Sequence, residues 1–89
     1  IMSKVIIYSK TICPYCVKAK ALISRKSNNF DIEMIEIKID NNQDLHNEMK
    51  QKSGGRMTVP QIFINDIHVG GCDDLYALEE QKKLDELLK

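Results

Sequence analysis

Cys13-Pro14-Tyr15-Cys16 holds the side chains of this chain best suited to chemistry: two thiols two residues apart, after an apolar run and before a helical pattern. That placement points to dithiol redox chemistry. A cysteine at the first turn of a helix meets unpaired backbone N–H groups and the positive end of the macrodipole. Its thiolate is stabilised there and its pKa falls. Pro14 suits the first helical position, where a missing N–H costs nothing. With a helix starting at Pro14, Cys13 is the N-cap and Cys16 lies one turn in, facing partly toward whatever the helix packs on. One sulfur can then attack while the other waits to resolve the product. The same spacing also occurs in metal sites: Cys13 and Cys16 with His68 and Cys72 would make a C-x2-C and H-x3-C set of zinc ligands. The fit of Pro14 to a helix start argues against that zinc-bound structural module.

The elements that must position these thiols can be read from periodicity. Lys4-Val5-Ile6-Ile7-Tyr8 is a β-branched run too short for a helix and reads as a buried strand ending just before the cysteines. From Pro14 the period changes: Cys16, Ala19 and Ile23 share a face with Leu22 beside them, an amphipathic helix that fades at Ser27-Asn28-Asn29. Ile35, Ile37 and Ile39 alternate with Glu36, Lys38 and Asp40, a strand with one face buried. Asp40-Asn41-Asn42 supplies N-cap chemistry, and Gly54-Gly55 a stop, for a mostly polar second helix containing Leu45, His46 and Met49. His46 is expected to be solvated there. Val59 to Ile64 and Ile67 to Val69 read as two strands joined by the two-residue turn Asn65-Asp66. Gly70-Gly71 then releases the chain into Cys72-Asp73-Asp74-Leu75, whose aspartates favour a helix start. The remainder is helical, with a break near Glu80 and a final stripe of Leu84, Leu87 and Leu88. The order is β-α-β-α-β-β-α. Helices between consecutive strands favour parallel pairing, and the late hairpin adds an antiparallel pair.

At 89 residues the chain is expected to form one domain over residues 2–89, with Ile1 before Met2 given no weight. Thirteen basic and thirteen acidic side chains cancel, and their mixed distribution offers no basic stripe for nucleic acid or an anionic membrane. No apolar run approaches the ~18 residues of a membrane span, and no signal-peptide pattern opens the chain. The expectation is a cytoplasmic protein, a compartment in which cysteines are more often catalytic or metal-binding than structural.

Three ordered blocks carry a closer resemblance: Tyr8-Ser9-Lys10-Thr11-Ile12-Cys13-Pro14-Tyr15-Cys16, Thr58-Val59-Pro60-Gln61-Ile62-Phe63-Ile64, and Gly70-Gly71-Cys72-Asp73-Asp74-Leu75. In order and spacing they resemble the glutaredoxin family of the thioredoxin superfamily, and within it the dithiol, bacterial-type members. Thioredoxin proper looks different, with tryptophan before the first cysteine and Gly-Pro between the two. The resemblance implies a thioredoxin-like α/β fold: a central four-stranded mixed sheet flanked by helices. It implies a glutathione-dependent thiol-disulfide oxidoreductase that reduces protein disulfides and protein-glutathione mixed disulfides. Glutathione would be the co-substrate, with no tightly bound cofactor, and the protein would act as a monomer. Disulfide-containing or glutathionylated proteins would be the partners, ribonucleotide reductase being a family-level candidate. An iron–sulfur cluster carrier is the family's other activity, against which Pro14 and Cys16 argue.

Resemblance and physics agree on Cys13 as the nucleophile and Cys16 as the resolving thiol, so the oxidised form should carry a Cys13–Cys16 disulfide. In thioredoxin-like folds the proline at the position of Pro60 is cis and faces the CxxC. The resemblance therefore implies that Val59, next to Thr58, offers its N–H and C=O to a peptide-like substrate. Glutathione carries two carboxylates and an ammonium, so its site needs cations, N–H donors and an acid. Lys10, with Arg56 or Gln61 as further candidates, would hold the glycyl carboxylate. The helix opening at Cys72-Asp73 would present N–H groups to the glutamyl carboxylate. Asp74, or Asp73, would pair with the ammonium, Tyr15 would line the groove beside the thiol, and Cys72 would lie next to it. The sequence assigns His68 no role in this reading.

Overall fold

The computed structural model describes residues 2–89, so Ile1, set aside above, lies outside the described residues. Along the chain come β1 (Ser3–Ser9), α1 (Pro14–Lys26), β2 (Ile32–Lys38), α2 (Gln43–Lys52), β3 (Gln61–Ile64), β4 (Ile67–Gly70), α3 (Cys72–Glu80) and α4 (Leu84–Leu88). This is the expected order, with the tail helix broken after Glu80, where Lys82 adopts a φ of 59°. The four strands lie in the order β2-β1-β3-β4. β1 runs parallel to β2 and antiparallel to β3, which pairs antiparallel with β4.

β1 is central and covered on both faces, which is why it reads as an unbroken apolar run. Side-chain alternation sends Val5 and Ile7 to one side, where they meet Ile62 and Ile64, the inner face of α1, and Cys72, Leu75, Leu84 and Leu88. Tyr8 points to the other side and packs with Phe63, Ile39 and Met49. The rings of Tyr8 and Phe63 meet edge to face, 5.7 Å apart. The Tyr8 hydroxyl donates to Glu48 of α2 at 2.6 Å. Burial, with the Glu48 carboxylate alongside, pushes that phenol well above its ordinary pKa.

Local signals behave as their chemistry dictates. The four expected apolar residues of α1, Cys16, Ala19, Leu22 and Ile23, are the ones it buries. Asn65 and Asp66 both take positive φ, 48° and 69°, the mirror-image turn that matches the twist of a tight hairpin. The Asn42 Oδ1 accepts the Leu45 N–H at 3.0 Å and caps α2. The short α4 is tied down by Lys26, whose Nζ bridges Glu79 at 2.7 Å and Asp85 at 2.8 Å, and by the Ser3 hydroxyl donating to the Leu88 carbonyl at 2.9 Å.

Three boundaries or environments differ from expectation. β2 begins at Ile32 and ends before Ile39; as an edge strand it leaves Ile35 and Ile37 only half-buried, while Ile39, beyond it, is buried under α2. β3 begins at Gln61 rather than Val59, because Pro60 has no N–H to give a ladder. His46 is half-buried rather than solvated. Leu84 is 0 % exposed within the larger core. Leu84→Ala should therefore lower the unfolding free energy by about 2–5 kcal/mol, read from the denaturant midpoint at constant m-value. A loss under ~1 kcal/mol would mean that docking of α4 contributes little to this core.

Candidate active site

Cys13 is the N-cap of α1, in extended backbone with φ −152° and ψ 95°, and Pro14 follows at the first helical position. Its Sγ accepts the Cys16 N–H at 3.1 Å. The sulfurs of Cys13 and Cys16 are joined in a disulfide, with their Cα atoms 5.2 Å apart. The two are unequal: Cys13 is half-exposed, whereas Cys16 retains 1 % of its surface. The first turn of α1 carries no acid, while Arg25 and Lys26 sit in its last turn, so the positive end of the helix dipole stays uncompensated at Cys13.

Two carboxylates hold the loop between β1 and α1. Asp40 Oδ2 accepts both the Thr11 N–H at 2.8 Å and the Thr11 hydroxyl at 2.9 Å. That hydroxyl in particular holds the Asp40 carboxyl below its usual range. The sequence reading offered Asp40-Asn41-Asn42 for helix capping, and Asn42 performs it, leaving Asp40 free for the loop. Glu36 Oε2 accepts from Lys20 at 2.8 Å and from the Ser9 hydroxyl at 2.6 Å, binding the end of β1 and the middle of α1 to β2. Lys20, then Ser9, lower the Glu36 pKa. The sequence carried no signal for this clamp, which depends on the β1–β2 register.

Opposite the thiols, the Val59 carbonyl oxygen lies 4.0 Å from Cys13 Sγ, and the Val59–Pro60 peptide is cis. A groove of about 230 Å³ gathers Tyr15, Arg56, Thr58, Val59 and Pro60 with Cys72, Asp73 and Asp74 at the opening of α3. Lys10 is not in it; this exposed lysine lines a neighbouring depression with Asp40 and His46. Gln61 is fully buried and does not face the groove as a carboxylate ligand. Its Nε2 donates to the Thr58 carbonyl at 3.1 Å and its Oε1 lies 2.8 Å from His68 Nε2. Since Oε1 can only accept, His68 Nε2 carries the proton. Burial, and then the positive Arg56, lower the His68 pKa. His68 thus supports the Thr58 loop through Gln61, a role the sequence reading did not assign.

At the opening of α3, Asp74 Oδ2 accepts the Gly71 N–H at 2.8 Å and pairs with Arg56 Nη1 at 3.1 Å. The Gly71 N–H, and secondarily Arg56, hold the Asp74 carboxyl below its usual range. Gly70 has a φ of +118°, and a Cβ there would collide with the Asp74 carboxylate, so the chain needs glycine at this point. Burial pushes the Cys72 thiol up, keeping it protonated. The zinc alternative is not favoured: with His68 Nε2 on Gln61 and the Cys13–Cys16 sulfurs bonded together, no three His, Cys, Asp or Glu side chains gather as a metal site among the described residues.

A CxxC at the head of a helix, opposed by a cis-proline loop on a mixed sheet, defines a thiol-disulfide oxidoreductase of thioredoxin-like fold. Comparison with known proteins makes this particular: the glutaredoxin family model matches residues 5–69. Glutaredoxin 3 of Escherichia coli K12 is 53% identical over 88 residues, covering 99% of this chain and 100% of that protein. The solution structure of glutaredoxin from Brucella melitensis superposes with a TM-score of 0.79 at 55% identity, covering 97% of this chain and 88% of that one. A buckwheat glutaredoxin in complex with glutathione gives a TM-score of 0.81 at 29% identity, covering 97% and 76%. The chain belongs to the glutaredoxin family.

The Asp74 geometry has a pH signature. Its folded carboxyl is depressed relative to a free aspartate near ~3.9, so its contribution is present above that value and lost as pH falls through the folded pKa. Between about pH 6 and pH 3 the wild type should lose more stability in urea than Asp74→Asn. The difference should be small because Asp74 is half-exposed; parallel losses would remove Asp74 from this role.

Proposed function

We propose that this protein reduces protein-glutathione mixed disulfides and protein disulfides with glutathione as co-substrate, Cys13 attacking and Cys16 resolving. The observation that carries the proposal is the match between the groove at Cys13 and the charges of glutathione. The Cys13 thiolate attacks a glutathionyl sulfur and takes glutathione onto itself as a mixed disulfide; a second glutathione, or Cys16, then displaces it. The unequal burial of the pair supports this division of roles, since the half-exposed sulfur can meet a substrate and the buried one only a neighbour. The backbone groups of Val59, beside Cys13, suit the central residue of a tripeptide, with Thr58 and Pro60 shaping the wall and Tyr15 the opposite side.

The first-turn N–H groups of α3, at Cys72 and Asp73, suit the glutamyl carboxylate. Asp74 is already engaged by Gly71 and Arg56, and Asp73 makes no ion pair among the described residues, so the ammonium falls to Asp73 first. Arg56 lies in the groove for the glycyl carboxylate, whereas Lys10 would have to swing across from its own depression. The buckwheat glutaredoxin's complex with glutathione supports glutathione as the co-substrate. We place the protein as a single-domain monomer in the cytoplasm, where glutathione keeps such a dithiol reduced. Its partners would be glutathionylated or disulfide-bearing proteins such as ribonucleotide reductase. Among the described residues no helix is long and apolar enough to cross a membrane.

In a glutathione-coupled assay, Cys13→Ser should abolish reduction of a glutathionylated substrate. Cys16→Ser should keep substantial activity on it and lose reduction of a protein disulfide, because glutathione can replace Cys16 only in the first reaction. Equal loss of both activities in the two variants would sink the division of roles.

A further inference from the structure

We infer that Ile12 and Val17 form an apolar shoulder that reads the protein half of a glutathionylated substrate and favours an apolar side chain next to its modified cysteine. The inference rests on the proposed glutathione-dependent reaction. Seven large hydrophobic side chains stand exposed among the described residues, and three of them, Ile12 at 90 %, Tyr15 at 60 % and Val17 at 61 %, fall within the six residues around the two thiols. Scattered exposed hydrophobics need no explanation, but a concentration beside a reactive sulfur does. Neither Ile12 nor Val17 packs into either core cluster, so the fold does not require their apolar character.

Their placement separates them from the glutathione groove. The Val17 N–H donates to the Cys13 carbonyl at 3.1 Å, which puts Val17 one turn below the nucleophile. Tyr15, two residues back and about 200° around the helix, lines the groove; Ile12 and Val17 do not. The loop bearing Ile12 is already held by the two bonds from Thr11 to Asp40, so this surface is presented without an ordering cost on binding.

The reaction supplies the occupant. When the Cys13 thiolate attacks the glutathionyl sulfur, the Cys13–sulfur bond forms as the substrate's S–S bond breaks. The protein leaves as a thiolate with the bonding pair and takes a proton from water. A second glutathione thiolate then attacks the Cys13-bound sulfur, releasing glutathione disulfide and the Cys13 thiolate. While glutathione fills the groove on the Tyr15 side, the residues flanking the substrate's cysteine have the opposite side of Cys13 open to them, over Ile12 and Val17. A polar neighbour placed there would lose water without gaining a partner.

Three glutathionylated substrates test this: a peptide with leucine on both sides of the modified cysteine, the same peptide with asparagine there, and 2-mercaptoethanol as a substrate without a peptide. Wild type should show a kcat/KM about tenfold higher for the leucine peptide than for the asparagine peptide, the low end of what one apolar contact discriminates. The double variant Ile12→Ser, Val17→Ser should reduce the two peptides equally and keep its rate on the mercaptoethanol disulfide within roughly twofold. No preference in wild type, a preference surviving in the variant, or an equal fall on all three substrates would each overturn the inference while leaving the proposed function standing. Failure of wild type on the mercaptoethanol disulfide would overturn both. The wild-type preference is read without any variant, so a folding defect in the double variant does not shelter the idea.

Discussion

The unpaired N–H groups at the start of α1 are the feature to which the rest of this structure answers. A helix leaves its first N–H groups without partners, and side chains or ligands must meet them. Here the cap is a sulfur: Cys13 Sγ accepts from Cys16 N. An anion forming at that sulfur is met by an N–H group and by the positive end of a helix whose first turn carries no acid. The other described helices each carry an acid in the first turn, Asp44 in α2, Asp73 and Asp74 in α3, Asp85 and Glu86 in α4. Among the described helices only α1 has no acid in its first turn, and a sulfur caps it.

That cap is useful only if its position is rigid, and the fold supplies the rigidity from two directions. β1 is fixed between two apolar cores, so the point at which it hands the chain to α1 is set by packing on both faces. Asp40 and Glu36 then fasten the connecting loop and the body of the helix to β2 and the segment beyond it. Across the gap, buried Gln61 and half-buried His68 form a polar pair beneath the Thr58 loop. A buried amide is costly unless its groups are bonded, and here its bonding presents Thr58, Val59 and Pro60 to the thiols. The same logic holds at α3, where Asp74 satisfies the Gly71 N–H while holding Arg56 at the groove.

Period-two and period-3.6 patterns, caps and turns were all legible in the chain: the buried face of α1, the Asn65-Asp66 hairpin, the Asn42 cap and the break after Glu80 lie where local chemistry requires. The CxxC and its asymmetry were legible for the same reason, since an N-cap and a first-turn residue differ in exposure on any amphipathic helix. What escaped was long-range pairing of polar side chains. Within Asp40-Asn41-Asn42 nothing local marks Asp40 as the carboxylate that bonds a loop 29 residues away while Asn42 caps the helix. Lys10 read as a groove cation from its nearness in sequence to Cys13, whereas its exposed side chain lines a neighbouring depression. Gln61 read as a possible ligand, although its position at the start of a fully buried strand directs its amide inward.

The sequence by itself therefore determined the elements, the cysteine pair and the helix end on which it sits, because these follow from interactions a few residues apart. Only the tertiary structure decided which polar side chains meet: Asp74 with Arg56, Asp40 with Thr11, and Glu36 with Lys20. Those meetings depend on strand register and helix docking, which emerge from summed apolar burial, and no local pattern of charge encodes them.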